Sequence, residues 1–172
     1  MAPRLIVFTG LPGTGKTSLA RALSRSMPAM FVRIDAIEQA LRNGGREMVG
    51  TDGYVVANAV ASGNLALGHN VVADCVNPVA ASRRMWFDTA AMQRAVLHEV
   101  WIVCSDETEH RRRVESRMAD LPGHRLPIWR EIESMAFEPA PLAHVVDTAA
   151  ADVSTLAVSL LRRLTGADQP KN

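Results

Sequence analysis

Residues Gly10-Leu11-Pro12-Gly13-Thr14-Gly15-Lys16-Thr17 complete a G-x-x-x-x-G-K-[ST] segment, and no other stretch restricts the fold as much. The apolar run Leu5-Ile6-Val7-Phe8 precedes it, and the helix-like run Ser18-Leu19-Ala20-Arg21-Ala22-Leu23 follows. A strand, a glycine turn and a helix N-terminus in that order make an anion site. Backbone N–H groups surround phosphate oxygens, and the positive end of the helix dipole favours their charge. Gly10 through Thr17 together with Ser18 are therefore the expected contacts for a nucleoside triphosphate. Lys16 is expected to reach the β- and γ-phosphates and the Thr17 hydroxyl to ligate Mg²⁺. The alternative is a glycine-rich βα turn that binds nothing. Against it stands the scarcity of lysine: the chain has two, against seventeen arginines, and one of the two completes the motif.

Along the 172 residues, short apolar runs alternate with longer amphipathic ones, the pattern of a parallel sheet wrapped by helices. Strands are expected near 4–9, 30–34, 70–75, 98–104 and 143–147. Helices are expected near 16–27, 35–43, 51–68, 79–95, 106–119 and 152–165, with a short helical piece near 127–135. Pro28, Asn43-Gly44-Gly45 and Gly68 end the first three helices. Residues 120–142 carry Pro122, Gly123, Pro127, Pro139 and Pro141 with no strand pattern, and connections this long inside a domain are usually functional. The expected organisation is one α/β domain over 1–165, a lid at about 118–141 and a flexible tail over 166–172.

The net charge of +1 gives bulk electrostatics no hold on nucleic acid or on a membrane surface. No apolar run reaches eighteen residues, so no transmembrane helix is expected. The first strand begins too early to leave room for a signal peptide, which makes the cytoplasm the expected location. Cys75 and Cys104 read as buried free thiols on neighbouring strands. The five histidines form no ligand-spaced cluster, and nothing in the sequence specifies an oligomeric state.

Several polar residues fall where a parallel sheet puts its ligands, at the carboxyl ends of strands. Asp35 closes Val32-Arg33-Ile34-Asp35; it suits the proton of an acceptor hydroxyl and the water shell of Mg²⁺, or else an N-cap for the next helix. Asp74 closes Val71-Val72-Ala73-Asp74, three apolar residues and an acid, as carboxylates near a nucleotide-bound metal do. Asn77 lies at the same edge. In the arginine-rich helix 109–117, Arg113 and Arg117 are four apart and share a face that can close on a phosphoryl group. Arg42 and Arg83 are candidates for the acceptor side, with Arg125 behind them. Trp101 and Trp86 read as core residues, and Trp129 either covers a substrate or anchors its loop. Thr148, after the fifth strand, stands where a sheet edge meets an adenine ring.

Taken together, Gly10–Thr17, Asp35, Asp74 with Asn77, the helix 109–117 and the strand ending Asp147-Thr148 resemble the P-loop kinase-like proteins. More narrowly they resemble the small zeta-toxin-like and chloramphenicol-phosphotransferase-like, AAA-type ATP-binding kinases. The resemblance covers most of the chain, and only the phosphate loop is highly specific. It implies a P-loop NTPase three-layer α/β/α sandwich with a five-stranded parallel sheet in the order 2-3-1-4-5. It also implies ATP with Mg²⁺ as donor and a lid closing over the phosphates. The family's base at the end of the second strand maps to Asp35, and its lid arginines map to Arg113 and Arg117. Members differ widely in acceptor.

The expected activity is transfer of the γ-phosphoryl of ATP to a hydroxyl of a small molecule. Lys16 positions the donor, Thr17, Asp35 and Asp74 serve the metal, Asp35 activates the acceptor, and Arg113 and Arg117 neutralise charge. Arg42, Asn77 and Arg83 would contact the acceptor. A regulatory P-loop NTPase is one alternative, although no N-K-x-D segment is present. A nucleic-acid 5′-end kinase is the other, weakened by the near-neutral charge.

Overall fold

A computed structural model describes residues 2–166. The five strands are β1 (Arg4–Thr9), β2 (Ala29–Arg33), β3 (Asn70–Asp74), β4 (Val96–Val103) and β5 (His144–Asp147). The helices are α1 (Lys16–Ser26), α2 (Ile34–Asn43), α3 (Asp52–Ala66), α4 (Ala80–Met92), α5 (Glu107–Ser116), α6 (Trp129–Glu133) and α7 (Val153–Thr165). All strand pairs are parallel, and the sheet order is β2-β3-β1-β4-β5. Of the expected tail only Gly166 lies within the described residues, as the left-handed C-cap of α7 (φ 72°).

Side chains alternate across a strand, and in a parallel sheet both faces are covered, so β1 reads as one continuous apolar run. Ile6 and Phe8 face one way and join Leu19, Ala20 and Leu23 of α1 and Leu160 and Leu164 of α7. Leu5 and Val7 face the other way and join Ala57, Ala61 and Leu65 of α3 and Trp86 and Ala90 of α4. These two clusters on opposite faces of the sheet make the three layers of the P-loop kinase fold.

Two sequence expectations change here. Cys75 is buried, but Cys104 is only partly so, and the two follow β3 and β4, which β1 separates. Trp101 is not fully enclosed: it lies on β4 beside the short edge strand β5 and stacks on Phe137, with ring centroids 5.8 Å apart.

Helix α7 is held at its start by Asp152, whose carboxylate accepts from the backbone N–H groups of Ser154 (2.9 Å) and Thr155 (3.0 Å) and from both hydroxyls. Those donors hold the Asp152 carboxyl well below the usual carboxylate range. A depressed folded-state pKa adds stability above the unfolded value, about 4, and loses it as pH falls below that. Asp152→Ala is therefore expected to lower the urea midpoint at pH 7, with the gap to the parent chain narrowing as pH drops through 4 toward 2. A gap that is independent of pH would remove the charge from this account of the cap.

Candidate active site

The strand order decides what can meet. β1 is central, and its loop leaves the carboxyl edge of the sheet between β3 and β4. Register sets Phe8 of β1 beside Asp74 of β3, and Asp74 beside Arg33 of β2. The phosphate loop, Asp74 and the β2–α2 junction therefore open onto one cavity of about 540 Å³. Pro12, Gly13, Gly15, Lys16, Thr17 and Ser18 line it on the loop side.

Gly10, Leu11 and Thr14 stand behind that lining and shape it. The Leu11 carbonyl accepts from the Lys16 ammonium (2.7 Å) and from the Thr14 hydroxyl (2.9 Å). Gly13 turns with φ +86°, and a Cβ there would lie 2.4 Å from Val114 Cγ2 of α5. The loop thus rests directly on α5, where His110 Nε2 also lies 2.8 Å from the Pro12 carbonyl oxygen. Trp129 of α6 packs edge-on against the His110 ring with centroids 5.1 Å apart, so it anchors α6 behind the loop. A second brace comes from the turn after β5. The Thr148 hydroxyl donates to the Thr14 carbonyl (2.7 Å), and Arg113 donates to the same hydroxyl (2.8 Å) and to the Thr148 carbonyl (3.1 Å).

The opposite wall is acidic at its base. Asp74 is 3% exposed, and its Oδ2 has no hydrogen-bond partner. Burial pushes the Asp74 carboxyl up, and Lys16 and Thr17 oppose that shift. Burial likewise pushes the Lys16 ammonium down, and Asp74 and Asp35 oppose it. Lys16 and Asp74 are thus each other's main counter-charge at the floor of the cavity. Asp35 also lines the cavity, yet it is no N-cap: Arg33 takes that position, and Asp35 lies in the first turn of α2. The reason is local, since Arg33 keeps an extended backbone and Ile34 already begins the helix.

Arg33 escaped the sequence reading and is central to this wall. Its side chain is 8% exposed and lies 3.4 Å from Asp35 Oδ2, 3.8 Å from Asp74 Oδ2 and 2.7 Å from Asp120 Oδ2. Burial works against its charge, and the three carboxylates outweigh burial and raise its pKa. Asp120, from the stretch between α5 and α6, also accepts from Arg21 of α1 at 2.8 Å. The hydrogen bond from Arg33 holds the Asp120 carboxyl down at about 2, with Arg21 adding to it. The only signal available was the strand-end position of Arg33, because its partners lie at sequence separations of 2 to 87 residues.

The arginines separate by placement. Arg113 and Arg117 both line the cavity, but helix α5 stops at Ser116, and Arg117 continues it in extended conformation. Arg113 is fully engaged by Glu109 and Thr148. Arg117 has a single 3.4 Å contact to the Pro127 carbonyl, and its Nε is buried without a partner. Burial lowers the Arg117 pKa, and Asp35 opposes that shift. Arg125 lines the cavity too and pairs with Glu131.

Three residues expected on the acceptor side do not line the cavity. Arg42 lies seven residues beyond Asp35, which is about 10 Å along a helix, and pairs with Glu38 at 3.3 Å. Arg83 is held by Glu138 (3.4 Å) and by the Pro139 carbonyl (3.3 Å), so it ties α4 to the connection before β5. Asn77 is fully buried at φ 54°, with its N–H donating to the Tyr54 hydroxyl at 2.9 Å. That left-handed turn draws its amide inward, away from the cavity.

The residues present fit a nucleotide with its magnesium. Among the described residues no three His, Cys, Asp or Glu side chains converge as a cage. A divalent ion here would take the Thr17 hydroxyl and the free Asp74 oxygen and complete its shell with phosphate oxygens and water, as Mg²⁺ does. No helix among the described residues is long and apolar enough to cross a membrane.

Comparison with known proteins agrees with this geometry. No curated protein sequence matches the chain. Solved structures share the fold at low identity. A candidate kinase from Chloroflexus aurantiacus superposes with a TM-score of 0.77 at 22% identity, covering 96% of this chain and 97% of its own. The Mycobacterium tuberculosis APS kinase CysC, in complex with AMPPNP and APS, gives 0.72 at 19% identity, covering 95% and 98%. Chaetomium thermophilum Kti12, in complex with ADP-AlF3, gives 0.71 at 17% identity, covering 96% and 100%. The model of the AAA domain family matches residues 5–128, from β1 through the loop, both strand-end acids and α5. With that match over most of its length and with the sheet order of the P-loop kinases, the chain belongs to the AAA domain family.

Proposed function

We propose that this protein transfers the γ-phosphoryl group of ATP to a hydroxyl of a small molecule. One observation carries the reading: a single cavity is lined by the phosphate loop and by Asp35, Asp74, Arg113 and Arg117. Phosphoryl transfer asks little covalent chemistry of a protein and depends on position and charge. Lys16 and the loop amides hold the donor phosphates. Thr17 and Asp74 would hold the metal, with Asp35 toward its water shell; Mg²⁺ when bound would neutralise charge on the phosphate oxygens. Asp35 accepts the proton of the acceptor hydroxyl as it attacks. Arg117, which has a donor to spare, stabilises charge on the transferred group, and Arg113 braces the loop from the nucleotide side. The connection over about 118–141 acts as a lid on a single domain, and closing it keeps water, the competing acceptor, away from the γ-phosphoryl group.

The test is ADP release from Mg·ATP with and without pooled hydroxyl compounds (aminoglycosides, phenicols, sugars, nucleosides). Release is expected to depend on the pool. Equal release in both arms would overturn the reading in favour of a regulatory NTPase. Release stimulated only by oligonucleotides, with binding that weakens as salt rises, would favour the 5′-end kinase.

A further inference from the structure

The cavity contains a second cluster of cations, outside the phosphate loop. Thr17 and Arg21 are four residues apart and share a face of α1, so Arg21 stands one turn beyond the metal-side hydroxyl. Arg21 Nη2 (2.8 Å) and Arg33 Nη1 (2.7 Å) converge on one oxygen, Asp120 Oδ2. Two guanidinium groups closing on a single oxyanion is the geometry by which arginine recognises carboxylate, sulfate and phosphate. The two cations stand on α1 and β2, whereas Asp120 comes from the irregular stretch between α5 and α6. The Arg33 side chain is 8% exposed and Asp120 is 41% exposed. A ligand oxyanion in place of Asp120 would leave the charge balance at Arg33 unchanged and release Asp120 to water, where a carboxylate is well solvated.

Arg33 also fixes the size of that ligand. The guanidinium that binds Asp120 through Nη1 lies 3.4 Å from Asp35 through Nη2. An oxyanion exchanged for Asp120 would therefore sit one guanidinium away from the carboxylate assigned to the acceptor hydroxyl. Both groups fit on one small molecule. Resting on the phosphoryl-transfer reading above, we propose that the hydroxyl acceptor carries an oxyanion group, and that this group binds Arg21 and Arg33 in exchange for Asp120. Asp120 is then the resident substitute for the acceptor's charge, and the lid stretch is freed when the acceptor enters.

The experiment is calorimetric titration of the chain with its loop filled by Mg·AMPPNP, using inorganic sulfate and glycerate as probes and glycerol as the neutral control. Asp120→Asn removes the internal competitor and is expected to tighten sulfate or glycerate binding by about tenfold, the scale of one charge-assisted contact. Adding Arg21→Ala in that background is expected to cancel the gain. Arg21 is part-exposed on α1, so its removal leaves the core in place. A preference for sulfate would indicate a phosphate or sulfate ester, and a preference for glycerate a carboxylate; either supports the exchange. Unchanged anion affinity in Asp120→Asn, or an equal change for glycerol, would overturn it and leave Asp120 as a latch on the lid. Mg·AMPPNP affinity is measured first in each variant. A chain that binds no nucleotide overturns the phosphoryl-transfer reading as well, whereas normal nucleotide binding with no anion response overturns this inference alone.

Discussion

Asp35→Asn is expected to slow acceptor-dependent ADP release by about 10²- to 10⁴-fold, the usual contribution of a positioned general base, with Mg·ATP affinity changed by no more than a few-fold. Asparagine keeps the shape of the side chain and removes the charge that takes the proton. Arg33 does not become an orphan in the variant, because Asp120 at 2.7 Å and Asp74 at 3.8 Å remain. Asp35 is also over one-third exposed, so the fold should lose little. The measurement is kcat beside a nucleotide Kd from equilibrium titration. Lost ATP affinity with unchanged turnover would move Asp35 from the acceptor to the donor and sink its assignment.

A second large effect is expected in stability. Gly10 has φ +141°, and a Cβ built there would lie 2.3 Å from the Ile102 carbonyl oxygen. The obstacle is backbone near the carboxyl end of β4, beside a fully buried side chain, so it has nowhere to move. Gly10 also donates its N–H to the Val76 carbonyl at 3.1 Å, which fixes the turn from the other side. Gly10→Ala is expected to cost about 3 kcal/mol or more, combining backbone strain with the clash. Gly45→Ala is the control: Gly45 has φ +92° and nothing within 4 Å of its Cβ position, leaving strain alone, about 1 kcal/mol. Urea midpoints compare the two. Equal losses would mean that the approach of β1 to β4 is not what requires glycine.

The parts of this molecule legible in its sequence are those encoded within a few residues of chain. The loop is such a case, since its chemistry is contiguous from Gly10 to Thr17. The apolar runs at the centres of β1 and β3 are another, because strands covered on both faces are apolar at successive positions there. Asp74 followed from the end of its strand and could be placed without knowing its neighbours, whereas Asp35 falls in the first turn of α2. Misplaced residues depended on direction as well as position. Asn77 stands at the expected edge, but a left-handed turn draws its amide into the protein. Arg42 occupies the expected helix and lies two turns too far along it. Arg33 was passed over because what makes it central comes from β3, α2 and the stretch after α5, which only the folded sheet brings together.

The hydroxyl of Thr148 has a consequence for when this protein becomes competent. Its bond to the Thr14 carbonyl spans 134 residues, joining the phosphate loop to the turn after β5. The phosphate loop precedes β5 by more than a hundred residues but is braced only once β5 has docked beside β4. Nucleotide would then meet a finished cradle in mature molecules and a slack one in partly assembled chains. The brace on the loop therefore arrives with β5 and not with the loop's own sequence.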